Sequence, residues 1–412
     1  MFYVQRGSVP HTRHTQHRAP DGSLYAEELF GVEGFAGRSS LLYHLAPPTQ
    51  THRVELIARA EVAPAAAEES GPHRHRLVKT GGLTANGDIV SGRIPLFTNA
   101  DVTMGVVLPA EPMPTGRFYR NGEGDELLFV HQGTGVVDTV FGSLRYGPGD
   151  YVVLPIGTTW RLDPDAGVQR MLWLETPGEL EPPKRYRNEY GQLLEHAPYS
   201  QRDIRPPEWA EPQAETGDFT IAVKARGRLT AYHYRCHPFD VVGWDGYLWP
   251  FLFNIGDFQP ITGRVHQPPP VHQTFQGRNF VVCSFVPRKF DYHPQAIPAP
   301  YNHSNINSDE IIYYVAGNFM SRRGVEVSSF TVHPAGIPHG PHPGTVEASI
   351  GRDATDELAV MVDTFNPLWL TAEAAGLEND RYPYSWLPST DSREAAGEAQ
   401  SLIERGPEAF PD

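Results

Sequence analysis

Hydrophobic residues along this 412-residue chain fall in short runs that glycine and proline repeatedly interrupt. The clearest stretch is ELLFVHQGTGVVDTVFGSLRYGPGDYVVLPIGTTWRL, residues 126–162, where each apolar or alternating run ends at a Gly-containing turn. Runs of that kind predict strands. RVELIARAEV, IVSGRIPLF and VTMGVVLP predict further strands upstream, and a second β-rich half runs from FTIAVKA to AVMVDTF. A Pro-rich, charged stretch over 176–212 predicts a connection between the halves. The expected division is therefore 1–205 as a first domain with a polar N-terminal segment and 206–390 as a second. Residues 391–412, polar and poor in aromatics, are expected to be a mobile tail.

The two halves share a pattern. YRNGEGDELLFVHQG runs from Tyr119 to Gly133, and HSNINSDEIIYYVAG from His303 to Gly317. Aligned, Asn121 matches Asn305, Asp125 matches Asp309, Glu126 matches Glu310, and Gly133 matches Gly317. Further on, PIGTTW (155–160) matches PAGIPH (334–339). The paired motifs resemble the cupin signature, H-x-H-x(3,4)-E-x(6)-G followed by G-x(5)-P-x-G-x-x-H. That resemblance implies an all-β dominated chain with two jelly-roll barrels, an N-terminal extension and few short helices.

The halves differ where a metal would bind. The first carries Tyr119, Asn121, Glu126 and Trp160, a set with no imidazole, and is expected to be metal-free. The second carries His303, Asn305, Glu310 and His339. Two imidazoles and one carboxylate form the facial set typical of non-haem Fe(II) oxygenases, and they leave positions open for a chelating substrate and O₂. Asp309 is the rival to Glu310, but neighbours on a strand face opposite ways, so one of the two faces the barrel interior. The repeat register selects Glu310. His333 and His342 flank His339 as partners of the ligands or as wall residues.

Composition narrows the partners. A net charge of −15 disfavours nucleic acid and anionic lipid. Two cysteines, Cys236 and Cys283, exclude a disulfide framework and suit a reducing cytoplasm. No apolar run is long enough to span a bilayer, and the N-terminus lacks a signal-peptide core. The histidines of HTRHTQHR, at positions 11, 14 and 17, have few apolar neighbours and read as a solvated or interface segment.

A closer resemblance rests on PYNHSN with SDE, on HPAGIPHGPHPG, on HPFDVVGWDG and on the early GSLYAEELFGVEGFAGRSSLLYH. Together they resemble the homogentisate 1,2-dioxygenase family over residues from about 5 to about 372. The family opens the ring of 2,5-dihydroxyphenylacetate with O₂ and Fe(II) in tyrosine and phenylalanine breakdown. The resemblance puts the iron ligands on His303, Glu310 and His339, and the histidine beside the substrate hydroxyl on His266, with His272 as the alternative in RVHQPPPVHQTF. It places His333 near the substrate as well, and implies a homo-oligomer, a trimer or hexamer. Phe319 stands where the family commonly has a tyrosine near the substrate carboxylate, and Asp245 where it usually has His. Arg322 and Arg323 are candidates for the missing carboxylate partner. A gentisate-type hydroquinone dioxygenase and a non-catalytic bicupin binder are the alternatives.

Overall fold

The computed structural model describes residues 1–58, 71–317, 319 and 324–387. The expected tail at 391–412 and the candidates Arg322 and Arg323 lie outside the described residues. The fold is all-β dominated, as the short runs predict. Its α-helices among the described residues are single turns, Thr345–Ser349 and Ala372–Ala375.

The chain forms two compact units. The first takes in the N-terminal residues, Thr84–Gln259 and Thr274–Arg278. The second takes in residues 71–83, Pro260–Gln273 and the chain from Asn279 onward. This differs from the expected boundary near 205. Strand Thr216–Ala225 pairs in parallel with Arg117–Asn121, and Phe251–Asn254 pairs with Asp150–Leu154. These long-range ladders hold residues 206–259 to the first unit, so the Pro-rich stretch lies inside it. The second unit in turn gains a strand from far upstream, Arg76–Lys79, which pairs with Ser329–His333. Strand pairing fixes unit membership, and composition does not reveal it.

In the first unit, strand Asp125–Gln132 lies between Asp150–Leu154 and Arg170–Thr176 and is buried on both faces over most of its length. Leu128, Val130, Val152, Trp160 and Met171 belong to its main core. Trp244, from the FDVVGW segment, is fully buried and donates its indole N–H to the Phe141 carbonyl at 2.7 Å. An aromatic with a polar handle needs such a partner when buried.

In the second unit, strand Asp309–Ala316 (DEIIYYVA) is central, flanked by Ser329–His333 and Leu358–Thr364. It ends at Gly317, whose φ of +90° and whose missing Cβ, which would lie 2.2 Å from the Asp356 carbonyl, both require glycine. On one face stand Glu310, Ile312 and Tyr314, and on the other Asp309, Ile311 and Tyr313. The expected alternation of Asp309 and Glu310 is therefore realised, with each carboxylate in a different environment. Ile312, Tyr314, Phe319, Cys283, Ala359 and Met361 form an apolar cluster.

Candidate metal centre

Glu310 enters as the second residue of its strand. His303 and His339 meet it from two loops that join in an isolated antiparallel bridge, with each residue's amide donating to the other's carbonyl at 2.8 Å. One ligand atom from each of the three lies within 4.8 Å of the other two. His303 Nε2 is 3.8 Å from Glu310 Oε2, and His339 Nε2 is 3.4 Å from Glu310 Oε1. A metal with bonds of about 2.1 Å asks for ligand atoms roughly 3 Å apart, so a small closure would seat one ion.

The hydrogen bonding fits that use. His303 Nδ1 lies 3.0 Å from the Tyr301 carbonyl, which fixes the Nδ1–H tautomer and leaves the Nε2 lone pair toward Glu310. His339 is 3% exposed, and among the described residues its Nδ1 has no hydrogen-bond partner, while its Nε2 faces Glu310 Oε1 at 3.4 Å without forming a well-aligned bond. A buried polar atom left without a partner costs about 1–3 kcal/mol, and a cation at Nε2 would complete the ring's pairing with Glu310. Burial pushes the Glu310 carboxyl up, but the His303, His333 and His339 imidazoles around it outweigh that and hold the group well below the usual range. An ionised carboxylate beside two imidazoles is a donor set suited to a divalent metal with oxygen and nitrogen preference.

His333, read from the sequence both as near the substrate and as a partner of the ligands or a wall residue, is fully buried, with its Nδ1 2.7 Å from Glu310 Oε1 and its Nε2 3.3 Å from the Tyr382 hydroxyl. That contact fixes the orientation of the Glu310 carboxylate. His342 pairs with the Ser385 hydroxyl at 2.8 Å, and Trp386 packs at a tilt against both His342 and His75. His75 comes from GPHRHRLV, far upstream, and its ring is 5.7 Å from His333 and 6.0 Å from His339. Sequence reasoning missed it because only strand pairing of Arg76–Lys79 brings it here.

His266 stands elsewhere in this unit. It lines a cavity of about 530 Å³ with Arg264, Asp291, Tyr301, Asn302 and Pro341. Its Nδ1 is 2.8 Å from Asp291 Oδ2, and its ring lies 5.2 Å from that of Tyr301. Tyr301 in turn lies 6.1 Å from the His303 ring, so this cavity adjoins the loop that supplies a ligand. The alternative, His272, is buried against Phe285, and burial, then Arg288 and His266, lower it to about 3. It stays neutral at physiological pH. Phe319 packs on Tyr314 with ring centroids 4.5 Å apart, inside the apolar cluster.

The first unit shows what replaces the imidazoles. Glu126 Oε1 accepts from Arg93 Nη1 at 2.6 Å and from Asn121 Nδ2 at 3.1 Å. Tyr119 and Trp160 pack edge to face beside them, and the Arg93 guanidinium lies over Tyr119 and Trp173. A buried guanidinium thus neutralises the carboxylate that repeats Glu310.

Comparison with known proteins agrees with the motifs. Residues 4–255 match the family described as homogentisate 1,2-dioxygenase N-terminal. A protein of Saccharolobus solfataricus named "Putative dioxygenase" is 41% identical over 391 residues, covering 94% of this chain and all of that protein. Among solved structures, a cupin 2 conserved barrel protein from Leptotrichia buccalis aligns over 74% of this chain and all of its own, at 8% identity and a TM-score of 0.32. An oxalate decarboxylase of Bacillus subtilis aligns over 82% of this chain and 86% of its own, at 10% identity and a TM-score of 0.34. Nothing about this chain's chemistry follows from likenesses that low. The family match spans more than half of the chain, and the archaeal relative extends it across the loops that carry His303 and His339. The chain belongs to the homogentisate dioxygenase family.

Proposed function

We propose that this protein is a ring-cleaving dioxygenase that uses Fe(II) and O₂ to open homogentisate to maleylacetoacetate, in tyrosine and phenylalanine breakdown. The observation that carries this reading is the convergence of His303, Glu310 and His339, with the His339 ring buried and its Nε2 turned to Glu310 at 3.4 Å. Those three residues would hold the metal. When bound, Fe(II) supplies the electron traffic between O₂ and the aromatic ring.

The chain's own residues do the rest. Glu310, ionised, offsets part of the ion's charge and leaves the centre net positive, which suits an anionic substrate. His333 holds the Glu310 carboxylate in one orientation. His266, with Nδ1 engaged by Asp291, presents Nε2 to the cavity as an acceptor for a substrate hydroxyl proton. Arg264 brings positive charge to the same cavity wall.

Phe319 supports a second reading. It lies in an apolar cluster and offers no hydroxyl to a substrate carboxylate, so gentisate or a related hydroquinone is the alternative substrate on the same site. The non-catalytic binder is disfavoured, because the second unit keeps a full donor set. By the same family resemblance, the working form is a trimer or hexamer, and the presence of two cysteines alone suits a cytoplasmic location. Oxygen uptake by anaerobically Fe(II)-loaded protein tests the function. Rapid uptake with homogentisate and product absorbance supports the reading. Iron bound at one per chain, with uptake only on gentisate, moves the substrate. No iron and no uptake refutes it.

A further inference from the structure

Strand Leu358–Thr364 runs antiparallel beside the strand that carries Glu310. Its register places Asp363 opposite Glu310, Met361 opposite Ile312, and Ala359 opposite Tyr314. Residues directly opposite in an antiparallel pair project to one face, with Cβ atoms about 5 Å apart. Ile312, Tyr314, Met361 and Ala359 all belong to the apolar cluster on that face. Asp363 and Glu310 are therefore the polar end of an otherwise apolar wall.

Glu310 faces three imidazoles, at 2.7 to 3.8 Å. Asp363 is different: its Oδ1 is buried and has no hydrogen-bond partner among the described residues. A buried acceptor left in that state costs about 1–3 kcal/mol, and native folds retain one chiefly where water, an ion or a ligand completes it. Yet Asp363 is not among the residues whose ligand atoms converge within 4.8 Å. It sits beside the ion's place and outside the donor set.

We propose that Asp363 is a positioning residue of this centre, hydrogen-bonded to the water or substrate hydroxyl that fills an open metal position. This rests on the metal reading given above. A hydrogen-bonding group there orients the oxygen that arrives without adding a second negative ligand. The role asks for a polar side chain of this size, so asparagine retains it and an apolar residue does not.

The test titrates Fe(II) and Co(II) into metal-free wild type, Asp363→Asn and Asp363→Ala, read by calorimetry and by the visible Co(II) spectrum. Partners that orient a metal's ligands typically account for 10–100-fold in affinity, so Asp363→Ala is expected to lose about that much, with a shifted Co(II) band, and Asp363→Asn to stay within about threefold of wild type. Asp363→Val, which keeps strand propensity, takes the place of the alanine variant if circular dichroism shows that alanine does not fold. An apolar variant that titrates like wild type with an unchanged Co(II) band overturns the proposal. So does an asparagine variant as impaired as the apolar one. Wild type that takes up neither ion overturns the metal centre itself, and this role with it.

Discussion

Asp125 and Asp309 make the same pair of hydrogen bonds in the two units. Asp309 Oδ1 accepts from the Ala335 amide and Oδ2 from the Leu368 amide, each at 2.7 Å. Asp125 Oδ1 accepts from Ile156 and Oδ2 from Leu180, each at 2.8 Å. Ala335 and Ile156 are the middle residues of the Pro-x-Gly turns, and the glycines that follow, Gly336 and Gly157, share a φ of +82°. The acidic residue next to Glu310 is thus a clamp on the turn that delivers His339.

That clamp predicts a separation of effects. Asp309→Ala leaves two amides without an acceptor and is expected to destabilise the protein by about 2–4 kcal/mol. It should also weaken metal uptake, because the turn ahead of His339 loses its anchor. Asp125→Ala should cost comparable stability with metal uptake unchanged. Urea denaturation and metal titration of both variants check this, and equal metal losses in the two would contradict it.

Glu310→Ala removes the carboxylate and leaves the His333 Nδ1 without its partner. Iron uptake and oxygen consumption should both fall below detection, while the fold survives. Full iron occupancy by metal analysis would falsify the ligand assignment.

In the first unit, the buried pair Arg93–Glu126 should show the asymmetry of buried ion pairs. Arg93→Met alone strands a buried carboxylate and should cost about 3–5 kcal/mol, whereas Arg93→Met with Glu126→Leu should recover most of it. Chemical denaturation of the single and double variants measures the difference. A double variant no more stable than the single one would show that the pair is not coupled.

His44 gives a pH signature. Its Nδ1 lies 2.7 Å from Asp240 and its Nε2 3.0 Å from Glu28. Burial lowers its pKa, but the hydrogen bonds to Asp240 and Glu28 and their charges outweigh that and raise it from 6.5 to about 9. The folded state then holds the proton more tightly than the unfolded state. The stabilisation is fully present below pH 6.5 and is lost as pH rises through about 9. Each tenfold gain in proton affinity is worth about 1.4 kcal/mol, so the whole effect amounts to about 3 kcal/mol. Denaturation of wild type and His44→Gln at several pH values between 6 and 10 reads it; parallel curves would count against it.

Much of this was legible in the chain itself. Short runs closed by glycine and proline specify strands because local sterics and alternation act within a few residues. The repeat of Asp125-Glu126 and Asp309-Glu310, each pair followed by apolar residues and a glycine, points in the same way to the strand that carries Glu310, and the PAGIPH turn points to His339 as a candidate beside it. What the sequence could not determine depends on which strands pair. Residues 206–259 join the first unit through the ladders at Arg117–Asn121 and Asp150–Leu154, and His75 reaches the centre through the strand Arg76–Lys79. The placement of His333 on Glu310, of Arg93 on Glu126 and of Asp363 opposite Glu310 follows from register. Register is a non-local property, chosen by the fit of whole faces against one another, and it appears only once the sheet is assembled.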